Sequence, residues 1–104
     1  MTYRLSKSAE SGLFDIWRYS VETWGEAQAE KYLRQLEVRF LDLAENPAIG
    51  RARDELAPGY LSFREACHVI FYTRYKEGIA IARVLHERMD LSYQLGKDPG
   101  TDES

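Results

Sequence analysis

The stretch Ala82–Asp90, ARVLHERMD, holds the residues closest to a known chemical pattern. His86-Glu87 begins the HExxH motif, in which two histidines one helical turn apart converge on zinc and the glutamate works on the bound water. Here Asp90 stands where the second histidine belongs, and His86 ends a strand-like run whose side chains alternate between faces. The other histidine, His68, is distant in sequence, and its neighbour Cys67 would point to the opposite face of a strand. No set of ligands has metal-binding spacing, so neither a metal nor any other cofactor is expected. Cys67 with either histidine could be drawn as a thiol–imidazole pair, but no third orienting residue stands at a recognisable spacing. The reading favoured for Cys67 is a small buried side chain in a strand. Asp54-Glu55 could do acid–base work, although such pairs are more often solvated loop charges. The stretch IGRARD has one glycine and no following Walker lysine, so it is no phosphate loop.

The arginines carry more. Arg51, Arg53, Arg64, Arg74, Arg83 and Arg88 are interleaved with Asp54, Glu55, Glu65, Glu87 and Asp90. An arginine fork grips a carboxylate through two parallel hydrogen bonds, which lysine cannot do. One reading is an internal ion-pair network tying the loop and the C-terminal segment to the sheet edge. The other is an anion- or partner-binding face. Arg51 and Arg53 lie on what reads as a flexible loop, where function is often placed. Arg83 lies mid-strand among apolar residues. The aromatic run HVIFYTRY raises base stacking, but packing against helices is favoured for its rings.

These residues need elements to position them. TYRLS alternates, with Tyr3 and Leu5 on one face, and predicts a first strand over about 2–6. Ser6 or Ser8 can cap a helix whose stripe is Ala9, Leu13, Ile16, Trp17, Ser20 and Trp24. Gly12 is a mild weakness in that helix, and Gly25 stops it. A second helix runs from Glu26 to about Glu45, with a stripe of Ala29, Tyr32, Leu33, Leu36, Phe40, Leu43 and Ala44. Asn46-Pro47 ends it. The loop NPAIGRARDELAPG comes next, then the strand-like runs GYLSFREA, CHVIFYTRY and IAIARVLH, the last two joined by a turn at KEG. In the last run Ile79, Ile81, Arg83 and Leu85 are expected to point one way and Ala80, Ala82, Val84 and His86 the other. The order strand, helix, helix and three-strand meander predicts a two-layer α+β domain, a helical hairpin packed on a small, mainly antiparallel sheet (β-α-α-β-β-β).

Composition sets the outer bounds. With 104 residues, one domain is expected over 1–95, with no room for a second. Residues 96–104 carry three acids and one base, and by composition read as a disordered acidic tail. The net charge of −3 does not forecast a nucleic-acid binder. One cysteine excludes an internal disulfide and fits a reducing compartment. The N-terminus MTYRLSKSAE has no hydrophobic signal core, and no apolar run approaches the roughly 18 residues of a membrane span. A cytoplasmic protein without membrane contact is expected.

The ordered set WGEAQAE, ENPxxGRxR, HVIFY and RVLHxRMD resembles the ParE-type toxins of bacterial toxin–antitoxin modules, within the RelE/ParE superfamily. The resemblance runs from about Tyr3 to Leu95. It implies a growth-inhibiting toxin neutralised by a ParD-like antitoxin, with DNA met only indirectly through that antitoxin. ParE-type members are associated with poisoning DNA gyrase, and RelE-type members with cutting messenger RNA on the ribosome, so fold alone does not select the activity.

The ribonuclease branch places two lysines on the strand where this chain has roughly Tyr60 and Ser62, and an arginine near Val69. YLSFREA contains no lysine, while Arg88 and Tyr93 lie close to an arginine and a tyrosine of that branch. Gyrase poisoning is therefore favoured. A poison needs no catalytic residue, only a preference for the state of the enzyme with cut DNA. The residues expected to meet the target are Arg51, Arg53, Arg83, His86, Arg88 and Asp90, with the segment after Leu91. His86 is expected to donate a ring N–H to a backbone or carboxylate partner. The antitoxin is expected to lay a helix into an apolar groove offered by Leu13, Trp17, Tyr32 or Leu36. The alternatives are a ribosome-dependent ribonuclease and an inactive toxin-fold binding module.

Overall fold

The computed structural model describes residues 2–88. Its elements are β1 (Thr2–Leu5), α1 (Lys7–Trp24), α2 (Glu26–Glu45), a 3-10 turn (Pro47–Ile49), β2 (Arg51–Ala52), β3 (Leu61–Glu65), β4 (His68–Tyr75) and β5 (Gly78–His86). The strands form one sheet in the order β1-β5-β4-β3-β2, antiparallel except where β1 runs parallel to β5. The α+β hairpin-on-sheet architecture expected from the sequence is present. The short β2 was hidden inside the predicted loop, because two residues carry no readable alternation.

Ser6 caps α1: its Oγ accepts the Ala9 N–H at 2.9 Å, and its hydroxyl donates to the Ala82 carbonyl at 2.7 Å. The same side chain therefore starts the helix and ties it to β5. Gly25, at φ +92°, makes the sharp reversal into α2. Ile16 from α1 and Leu36, Phe40 and Leu43 from α2 pack on Ile70, Tyr72, Ile79, Ile81 and Val84. Each such side chain, fully buried, contributes on the order of 1.5–3 kcal/mol. Trp24, expected on the inner stripe, is 54% exposed at the C-terminal end of α1, where it borders a cavity with Tyr32, Ala66 and Cys67.

Tyr72 is fully buried, and its hydroxyl donates to the Pro47 carbonyl at 2.7 Å, pinning the chain that leaves α2. Gly12 has a positive reason to be glycine. A Cβ there would sit 2.9 Å from the Val84 carbonyl oxygen, so α1 crosses β5 at backbone contact.

One expectation about β5 is corrected. Phe71 pairs with Arg83 but Tyr72 pairs with Ile81, so Ala82 is an extra residue and the strand is bulged. The bulge reverses the phase of the alternation. Val84 joins Ile79 and Ile81 in the core, whereas Arg83 turns to the face without helices, opposite Phe71. Cys67 is likewise corrected: it lies in the turn between β3 and β4 and is half-buried, because Ala66, at φ +54°, bends the chain one residue before it.

Candidate functional site

The helix-free face of the sheet is built by register. Arg51 pairs with Ser62, Ser62 with Phe71 and Phe71 with Arg83, so these four residues form one row across four strands. Directly paired residues share a face. Arg53 enters the row from the next segment. Its Nε donates to Glu55 Oε2 at 2.7 Å, another guanidinium nitrogen donates to Ser62 Oγ at 3.3 Å, and the group lies 5.8 Å from the Phe71 ring centre. Glu55 stays below its usual carboxylate range because Arg53 hydrogen-bonds to it.

The loop that carries Arg53 is held together by hydrogen bonds. Arg53 N–H donates to Tyr60 O at 2.8 Å, Leu56 N–H to Arg53 O at 2.9 Å, and Gly59 N–H to Asp54 Oδ1 at 3.0 Å. One row further along, Arg64 pairs with Val69 and makes an ion pair with Glu87. Part of the expected ion-pair network therefore exists, between β3 and the residue just after β5. Arg51 is exposed and Arg83 half-buried.

His86 belongs to the other side. It pairs with His68 across β4 and β5, and the two rings meet edge to face with centres 5.3 Å apart. Its Nδ1 accepts the backbone N–H of Arg88 at 3.1 Å, which leaves the ring proton on Nε2. His68 is buried, and its Nδ1 lies 2.6 Å from the Tyr32 hydroxyl, which in turn lies 3.3 Å from the Glu65 carbonyl. A carbonyl can only accept, so the assignment that satisfies both contacts runs from His68 Nδ1–H to Tyr32 and from Tyr32 to Glu65. Burial first, and then the neighbouring His86, push His68 down to about 4. Burial likewise raises Tyr32. Beside them Glu65 Oε1 accepts from Arg39 Nε and Oε2 from Gln35 Nε2, both at 2.7 Å. These contacts lock α2 to β3 and β4. Among the described residues, no group of three His, Cys, Asp or Glu side chains could hold a metal ion.

A shallow groove of about 350 Å³ runs along the β1 edge beneath the helices. Tyr3, Leu5, Leu13, Leu33 and Phe40 line it, and Glu30, Arg34 and Glu37 form its charged rim. Tyr3 and Phe40 meet edge to face at 5.2 Å, and burial, with Glu37 close by, raises the Tyr3 hydroxyl.

The structure thus brings Arg51, Arg53 and Arg83 together and separates them from His86. Arg88 lines a groove on the helix side with His86. Asp90, Tyr93 and the segment after Leu91 lie outside the described residues. Of the expected antitoxin contacts, Leu13 lines the edge groove and Trp17 is half-buried, whereas Tyr32 is engaged by His68 and Glu65. Leu36 is completely enclosed by the core and presents no surface to a partner. Sequence reasoning missed Leu33 and Tyr3 as groove-lining residues. Their positions on the stripes of α2 and β1 were legible, but not that the stripes reach the sheet edge.

The fold and these faces define a class: a small α+β domain that spreads its polar side chains over open surfaces. Residues 3–91 match the family described as ParE toxin of type II toxin-antitoxin system, parDE. The chain is 45% identical over 94 residues to "Toxin ParE1" of Mycobacterium tuberculosis, covering 89% of this chain and 96% of that one. It is 40% identical to "Toxin ParE1" of Caulobacter vibrioides, covering 90% and 97%. It is 35% identical to "Toxin ParE" of Escherichia coli, covering 89% and 91%. The chain belongs to the ParE toxin family of type II toxin–antitoxin systems. A chain of the solved structure titled "Chromosomal ParDE TA system from P. aeruginosa" superposes with a TM-score of 0.71 at 18% identity. The superposition covers 83% of this chain and 95% of that one, a likeness of fold. Among the described residues no helix is long and apolar enough to cross a membrane.

Proposed function

We propose that this protein arrests bacterial growth by poisoning DNA gyrase without cleaving RNA, and that a ParD-like antitoxin neutralises it in the cytoplasm. Family membership supports the toxin role, and the name of the ParDE structural neighbour supports an antitoxin partner.

The observation that carries the target side is the row Arg51–Ser62–Phe71–Arg83, with Arg53 held above it. It offers guanidinium groups for an anionic partner surface, that of Arg53 held by Glu55 and Ser62, and among the described residues the row itself contains no lysine or histidine to serve as a general base. Arg88, the described residue that kept the ribonuclease alternative open, lines the helix-side groove and not this row. The antitoxin side falls to the β1-edge groove, whose apolar floor and charged rim suit an amphipathic segment. DNA is then met through the antitoxin, and in the gyrase complex only as the enzyme's own substrate.

A supercoiling reaction with purified gyrase tests this reading. Linear or nicked DNA should accumulate with the protein alone and disappear when the partner encoded beside it is added. Unaltered supercoiling by folded protein would refute it and direct attention to translating ribosomes.

A further inference from the structure

Charge is divided between the two layers of this fold. The five strands carry Arg4, Arg51, Arg64, Arg74 and Arg83 and a single acid, Glu65. Glu65 faces the helices, where Gln35 and Arg39 hold it. Helix α1 carries three acids and two bases, and α2 five acids and three bases. The formal net charge of −3 therefore conceals a basic sheet backed by an acidic hairpin. Salt largely screens exposed charges more than about 10 Å apart, so each face presents its own charge and not the average.

Register brings most of the basic residues to one face. Tyr3 and Leu5 turn to the helices, so Arg4 between them turns to the face that also holds Arg51, Arg64 and Arg83. Arg4 lies over the Tyr75 ring at 4.2 Å, and the Tyr75 hydroxyl lies 3.3 Å from Thr2 Oγ1. Arg53 is paired with Glu55 and Arg64 with Glu87. Arg4 and Arg51 are exposed, and among the described residues neither makes an ion pair. They stand on β1 and β2, the two edges of the sheet. The width between them is roughly 19 Å, the rise of about five to six base pairs of duplex DNA.

What lies between the two edges decides the kind of partner. A protein interface is anchored by aromatic or aliphatic side chains that fill pockets at its centre. Here the centre of the row offers none, since Ser62 is 7% exposed and Phe71 3%. The groups that protrude are guanidinium groups and, beside Arg4, the exposed Thr2. Such groups hold phosphate oxygens and need no apolar anchor.

We propose that the helix-free face of the sheet lies directly against the phosphate backbone of duplex DNA, with Arg4 and Arg51 as its outer contacts. So few contacts hold free DNA only weakly at physiological salt. They take effect where gyrase already holds the duplex in place, and for that setting the inference rests on the gyrase reading. The acidic hairpin then faces away from the DNA, on the side left to the antitoxin.

The test uses the full chain and a short fluorescent duplex of random sequence, followed by anisotropy over a series of low salt concentrations without gyrase. The logarithm of the binding constant should fall against the logarithm of salt concentration with a slope of about −2. Arg4→Glu and Arg51→Glu should each weaken binding severalfold and reduce the slope by about 1. Arg51, exposed on a two-residue strand, keeps the test independent of any loss of the Arg4–Tyr75 stack. Lys31→Glu makes the same change in net charge on an exposed position of α2 and should leave both readouts as in the parent. No binding at any salt, a slope near zero, or equal weakening by Lys31→Glu would overturn the proposal. So would tighter binding to a polyglutamate peptide of equal charge, which would assign the face to an acidic protein surface. Tighter binding to single-stranded RNA of equal phosphate count would overturn it in favour of RNA. Because gyrase is absent, unaltered supercoiling beside intact, Arg51-dependent DNA binding would sink the gyrase reading alone.

Discussion

His68 shows how a single side chain can set the acid limit of a fold. Enclosed between Tyr32, Glu65, Cys67 and His86, it is held neutral down to about 4, against 6.5 when exposed. The folded state therefore binds fewer protons than the unfolded state between those values. Stability from this residue is complete above about 6.5 and is lost as the pH falls toward 4. The loss reaches up to about 3 kcal/mol, at about 1.4 kcal/mol per pH unit. Urea unfolding at pH 7 and pH 5 should show the slope in the parent protein and a markedly smaller one in His68→Gln. Unchanged slopes would remove His68 from the account. Tyr32→Phe leaves the His68 Nδ1–H and the Glu65 carbonyl without that hydroxyl, and should cost about 1–2 kcal/mol at pH 7 by the same measurement. None of this was legible in the sequence. His68 and Tyr32 are 36 residues apart, and only the docking of α2 on β4 brings them together.

At the scale of elements, the sequence was most informative where one residue suffices to stop or start a structure. Ser6, Gly25 and Asn46-Pro47 bound the two helices where expected. It was least informative where a strand changes phase. Ala80 and Ala82 are equally small, so nothing in IAIARVLH marks the bulge, and Arg83 was assigned to the wrong face. Gly12 was legible only as a defect, yet the crossing of α1 over β5 depends on it. Gly12→Ala gains roughly 1 kcal/mol of helix propensity but places a methyl 2.9 Å from a backbone oxygen that cannot step aside. The net result should be a loss of about 1–2 kcal/mol, while Ser11→Ala, exposed on the same helix, should be neutral or slightly stabilising. Denaturation midpoints of the two variants decide it, and a more stable Gly12→Ala would show that the crossing has slack. In the β3–β4 turn the reverse holds. Ala66 sits at φ +54°, so Ala66→Gly should raise the midpoint, by about 0.5 kcal/mol.

At the scale of the whole molecule, the two layers place two surfaces apart from one another. The hairpin occupies one face of the sheet and borders the apolar groove at the β1 edge, while the opposite face keeps its row of arginines. Arg51, Arg53 and Arg83 could be named from the sequence as candidates, but their gathering into one row depends on the bulge and on the short β2, neither of which leaves a sequence signal. The separation makes a demanding prediction, because damage to one surface should spare the other. Arg51→Glu reverses charge on an exposed residue and should weaken the effect on gyrase tenfold or more, about 1.4 kcal/mol, with the antitoxin still bound at parental affinity. Leu33→Asp puts a charge on the floor of the edge groove and should weaken antitoxin binding by a similar or larger factor, leaving gyrase poisoning intact. Calorimetric titration of each variant with the antitoxin, beside a supercoiling assay, reads both effects from the same preparations. If the two substitutions impair both activities together, the sheet face and the edge groove act as one surface, and the assignment of separate partners to separate layers is wrong.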